Sequence, residues 1–88
     1  MVKIDMKVID PDGLHARPAS VLSGEAVKYS SNIQLEYGEK KANMKSIMSI
    51  MALGIGLNSE IAVCTDGEDE ELALSNLVEL IKVNKIAE

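Results

Sequence analysis

The sequence predicts an open-faced, two-layer α/β (α+β) sandwich, with helices on one face of a four-stranded antiparallel sheet. Three observations predict it. Several short segments alternate apolar and charged residues, the mark of strands with one wet side. Sheets covered on one face only are usually antiparallel. Between these segments the apolar spacing changes to three and four residues, the mark of amphipathic helices. The order along the chain reads β-α-β-β-α-β-α, which a two-layer packing accommodates.

Val2, Ile4, Met6 and Val8 alternate with Lys3, Asp5 and Lys7, giving the first strand. Asp10-Pro11-Asp12-Gly13 is a turn signal. From Ala16 the period changes. Ala19, Leu22, Ala26 and Tyr29 lie opposite Arg17, Glu25 and Lys28, which predicts a helix ending near residues 29–31. Gly24 lies inside it and weakens it. Ile33, Leu35 and Tyr37 predict the second strand. Gly38-Glu39 suits a tight hairpin, and the third strand runs from Lys40 to Asn43. Ser46 to Leu53 reads as a short helix stopped by Gly54 and Gly56. Glu60 to Thr65 is the fourth strand, with Ile61 and Val63 on one face. The last helix starts near Asp69 and buries Leu74, Leu77, Val78 and Ile81. Asp66, Glu68, Asp69, Glu70 and Glu71 gather at its start. The helix dipole favours carboxylates there, so the run is expected to cap and solvate, and not to bind metal.

A chain of 88 residues is expected to form a single domain over residues 1–88 with one core. Hydrophobic residues are 47% and charged residues 26%, which argues against disorder. With no Trp or Phe, the core must be aliphatic. The same lack, and the net charge of −5, argue against a nucleic-acid surface. One Cys (Cys64) and one His exclude an internal disulfide and a Cys/His metal cluster, so no metal or cofactor is expected. No run is apolar enough for a signal peptide or a membrane span. A cytoplasmic location is expected.

The informative segment is Gly13-Leu14-His15-Ala16-Arg17-Pro18-Ala19-Ser20. The ordinary reading of a lone His is a surface or satisfied core residue. Three features point elsewhere. N-caps favour Ser, Thr, Asp or Asn, so His is a poor choice on stability grounds. The free amides of a first helical turn, here those of Ala16 and Arg17, form an anion site. Arg17 can fork onto phosphate oxygens, and Pro18 removes a donor where no carbonyl waits. A neutral imidazole offers a lone pair that can attack phosphorus. No nucleophile elbow surrounds Ser20, Ser23 or Ser30, and Gly54-Ile55-Gly56 reads as a turn, not a dinucleotide loop.

A second segment is Lys45-Ser46-Ile47-Met48-Ser49-Ile50-Met51-Ala52-Leu53. Ser46 is placed to cap it. It carries too many apolar residues for a short helix covering one face. Ile50 and Leu53 are expected to be buried, and Ile47, Met48 and Met51 partly exposed. Adaptable Met side chains there suit docking to more than one partner.

Together, G-L-H-A-R-P-A-S and K-S-I-M-S-I-M-A-L-G-I-G resemble the histidine-containing phosphocarrier (HPr) family of the bacterial sugar phosphotransferase system. The resemblance covers essentially the whole chain. It implies that His15 takes a phosphoryl group on Nδ1 from enzyme I, charged by phosphoenolpyruvate, and passes it to sugar-specific enzyme IIA proteins. Arg17 would be the phosphate partner. Ser46 would be the regulatory serine of carbon catabolite repression, phosphorylated by HPr kinase/phosphorylase and then bound by the catabolite control repressor. Ile47, Met48 and Met51 would form the docking surface, with Ser20 at its edge. It further implies sheet order 1-4-2-3, a monomer, and a carrier that is not an enzyme. Gly24 and Tyr29 depart from the family's usual residues without touching the transfer motif. Three alternatives differ: a non-catalytic regulatory binding module of the same fold, a small-ligand-sensing or protein-binding α/β sandwich with an incidental His, and a nitrogen-branch relative, against which K-S-I-M speaks.

Overall fold

The computed structural model describes residues Met1–Glu88. Its elements are β1 (Val2–Lys7), α1 (Ala16–Ala26), β2 (Asn32–Tyr37), β3 (Lys40–Asn43), α2 (Ile47–Ala52), β4 (Glu60–Asp66) and α3 (Glu70–Val83). The four strands form one antiparallel sheet in the order β1-β4-β2-β3, so the expected sheet order holds.

Register follows from period-two alternation. Ile4, Val63, Leu35 and Ala42 stand side by side across the sheet. With Met6, Ile33 and Ile61 they form the face that packs on Leu22, Ile50, Leu77 and Ile81 of the three helices. The opposite face carries the row Asp5, Ala62, Glu36 and Lys41, and the row Lys3, Cys64, Gln34 and Asn43. Lys3 Nζ reaches Glu36 Oε1 at 3.1 Å. Ala62 and Cys64 are buried even on this open face, because β4 is central and longer side chains flank it.

Helix α1 ends at Ala26, earlier than the spacing predicts. The next amides, of Lys28 and Tyr29, bond three residues back, to Glu25 O and Ala26 O, which tightens the chain out of the helix. The Ser30 and Ser31 amides then go to the Asp69 carboxylate, at 2.9 and 3.0 Å, and turn the chain into β2. The side-chain capping expected of the acidic run is not what Asp69 does. Asp69 is the N-cap residue of α3, yet its side chain makes no cap bond and pins another loop instead. Within α3 the fully buried residues are Ala73, Leu77 and Ile81, while Leu74 and Val78 are only partly buried against the core.

After α3, Lys85 adopts φ 55°, and the Ile86 amide bonds Ile81 O at 3.0 Å. This left-handed reversal returns the chain to the sheet. Ile86 is buried, and Glu88 exchanges backbone bonds with Lys7, closing that end of the β1 edge. No helix is long and apolar enough to cross a membrane.

Candidate functional site: the opening of helix α1

The loop before α1 is built from the turn signal. Asp10 Oδ1 accepts from the Asp12 amide at 2.9 Å, and Asp10 O accepts from the Gly13 amide at 2.9 Å. This is an Asx turn, for which Asp at the first position is suited. Gly13 has φ 68°, and a Cβ there would lie 2.3 Å from Ile55 O. Only glycine fits so close an approach. The Leu14 amide bonds Ile55 O at 3.0 Å, and Leu14 is buried. The Gly54-Ile55-Gly56 turn is thus the backing on which the loop rests.

His15 follows as the N-cap of α1, in extended conformation, and its side chain makes no cap hydrogen bond. Its carbonyl accepts the first helical bond, from Ala19 at 3.0 Å. The Ala16 and Arg17 amides find no acceptor in the chain, and Pro18 has no amide to offer. The ring is partly exposed, its side chain 36% accessible.

Asp10 is the residue that sequence reasoning missed. Its carboxylate is buried, accepts from Arg17 Nη2 at 2.6 Å, and lies 3.6 Å from His15 Nε2. The sequence suggests only positive field at the ring; the structure adds a carboxylate on the Nε2 side. Arg17, expected to face phosphate, is held by Asp10 instead, with its side chain 55% accessible. The only signal in the sequence was the Asp that opens the turn. Asp10, Asp12 and His15 offer atoms within 4.8 Å of one another, but both Asp10 oxygens are engaged and the guanidinium already supplies the cation.

The second segment has the expected cap and burial pattern. Ser46 is the N-cap of α2 and accepts from the Ser49 amide at 3.2 Å. Ile50 and Leu53 are buried, whereas Ile47, Met48 and Met51 are exposed at 40, 77 and 42%. Ser20 is exposed one turn into α1. Helices α1 and α2 touch, and Ser23 Oγ, buried in α1, donates to Lys45 O at 2.9 Å beside Ser46. The surface recesses lie elsewhere, and neither His15, Arg17 nor Ser46 lines any of them.

A family model described as "PTS HPr component phosphorylation site" matches residues 2–83. The chain belongs to the HPr family. Among solved structures it is similar to the histidine-containing phosphocarrier protein of a Mycoplasma, with 43% identity and TM-score 0.91 over 97% of this chain and 98% of that one. It is also similar to the phosphocarrier protein HPr of Bacillus anthracis, with 40% identity and TM-score 0.82 over 90% and 94%. Crh, a catabolite repression protein of Bacillus subtilis whose dimer swaps a domain, matches at 36% identity and TM-score 0.74 over 98% and 99%. The fold and the phosphocarrier class of the HPr family therefore apply to this chain.

Proposed function

We propose that this chain is a cytoplasmic phosphoryl carrier of the phosphoenolpyruvate-dependent sugar phosphotransferase system. Nδ1 of His15 accepts the group from enzyme I and hands it to enzyme IIA proteins. One observation carries the reading: the only histidine stands at a helix opening where it caps nothing and two backbone amides lack acceptors. A phosphoryl dianion on His15 would meet those Ala16 and Arg17 amides and the positive end of the α1 dipole. Arg17 can exchange Asp10 for the phosphoryl oxygens as a bidentate donor. The protein is substrate and donor in turn, not a catalyst on its own.

Ile47, Met48, Met51 and Ser20 supply the docking surface in this reading. Ser46 regulates it as a target of HPr kinase/phosphorylase, and its phosphorylated form binds the catabolite control repressor. Phosphate on Ser46 adds about −1.5 to −2 charges beside exposed apolar residues, at a helix start that tolerates them. Ser46→Asp should slow phosphorylation of His15 by enzyme I, and an unchanged rate overturns the regulatory part.

The deciding experiment is incubation with phosphoenolpyruvate, magnesium and enzyme I, read by intact mass. An acid-labile adduct that is lost in His15→Ala supports the carrier role; no adduct overturns it. The similarity to Crh favours a second reading, a regulatory module that binds through Ser46 and carries nothing on His15. The same experiment separates the two.

A further inference from the structure

We infer that Asp10 is a positioning residue for His15: its carboxylate holds the ring proton on Nε2, so that Nδ1 presents the lone pair. The inference rests on the carrier reading and deepens it. Asp10 is held at both carboxylate oxygens. The residue is 4% exposed, its Oδ1 is tied to the Asp12 amide, and its Oδ2 is tied to Arg17. The same Oδ2 faces His15 Nε2 at 3.6 Å. That is too long for a hydrogen bond, but no other carboxylate lies within 4 Å of that nitrogen. A carboxylate beside one ring nitrogen selects the tautomer protonated there. Asp12, the other acid near the ring, is exposed, and its carboxylate accepts no hydrogen bond, so it lacks such a fixed direction.

The chemistry uses both partners of Oδ2. The Nδ1 lone pair attacks phosphorus and forms the Nδ1–P bond. The bond from phosphorus to the donor breaks, and its electron pair leaves with the donor. The ring keeps its Nε2 proton and becomes positively charged. As Arg17 swings to the phosphoryl oxygens, Oδ2 is released and closes on the Nε2–H. One carboxylate thus parks the guanidinium before transfer and balances the ring charge after it.

The test compares the wild-type protein with Asp10→Asn, which keeps the side-chain volume and an acceptor for the Asp12 amide. The tautomer is read from ¹⁵N shifts of the neutral His15 ring. The wild type should hold the Nε2–H form, and Asp10→Asn should shift the ring toward a mixture. With enzyme I as donor, the rate of His15 phosphorylation should fall about fivefold in Asp10→Asn, with KM unchanged because the docking surface is intact. An unchanged tautomer overturns the inference even if the rate falls, since a purely structural role would lower the rate alone. Should Asp10→Asn fail to fold, the wild-type spectrum still decides: a ring protonated on Nδ1 overturns the inference. A wild-type protein that accepts no phosphoryl group overturns the carrier reading and this inference with it. Normal wild-type transfer with an Asp10→Asn protein identical in rate and tautomer overturns this inference alone.

Discussion

Helix α1 opens on His15, whose ring caps none of the first-turn amides, whereas α2 opens on Ser46, whose hydroxyl takes the Ser49 amide at 3.2 Å. Both residues are extended N-caps. The longer helix therefore has the poorer cap, and the short one has the good cap. A short helix has little propagation to hold it and needs its end bond. The longer helix can leave its first amides open because Ala19, Leu22 and Ala26 anchor it in the core. The difference teaches that a helix start can hold itself together or stay open to an anion, and that local sequence shows which.

The strongest way to break this comparison is to make the two openings alike. His15→Ser should abolish phosphoryl acceptance in the enzyme I assay while raising stability by about 0.5–1 kcal/mol, through the restored cap, in urea unfolding. A variant no more stable than the wild type would show that α1 gives up nothing by carrying His15. Gly13→Ala attacks the support of the α1 opening. A Cβ set against Ile55 O and a strained φ should together cost about 2–3 kcal/mol, read as a lower urea midpoint.

Ser46→Ala attacks the other opening. It should cost about 1 kcal/mol by the same measurement and leave His15 phosphorylation unchanged. Gly24→Ala sharpens the contrast by strengthening α1 away from its start. A Cβ there meets nothing, so stability should rise by about 0.5–1 kcal/mol with no change in transfer rate.

The smallest effect concerns the third opening, that of α3. Hydrogen bonds from the Ser31 hydroxyl first, and then from the Ser30 and Ser31 amides, hold the Asp69 carboxyl below its ordinary 3.8. A depressed carboxyl stabilises the fold above its unfolded value and loses that contribution as pH falls through the folded value. The loss thus lies below about pH 4. Asp69→Asn should flatten the acid limb of a urea midpoint against pH profile, and an unchanged limb would remove Asp69 from the account.

The sheet face of Ile4, Leu35 and Val63, the starts at His15, Ser46 and Asp69, and the exposure of Met48 against the burial of Ile50 were all legible in the sequence. Each is a local property, a matter of period or of residue type at a helix end. The end of α1 was not legible, because the Ser30 and Ser31 amides are taken by Asp69, far along the chain. Nor was the need for glycine at residue 13, which comes from the approach of Ile55.

Periodicity says which side of a strand is wet but not which strand lies beside it, so the order β1-β4-β2-β3 came only from family resemblance and from the folded sheet. The residue types that could carry phosphate, His15 and Arg17, stand in plain view in the chain. That Asp10 holds Arg17 and faces His15 Nε2 was settled by the fold alone. An irregular loop has no period from which to read a direction, and its side chains meet only after Gly13 and Leu14 have been fastened to Ile55.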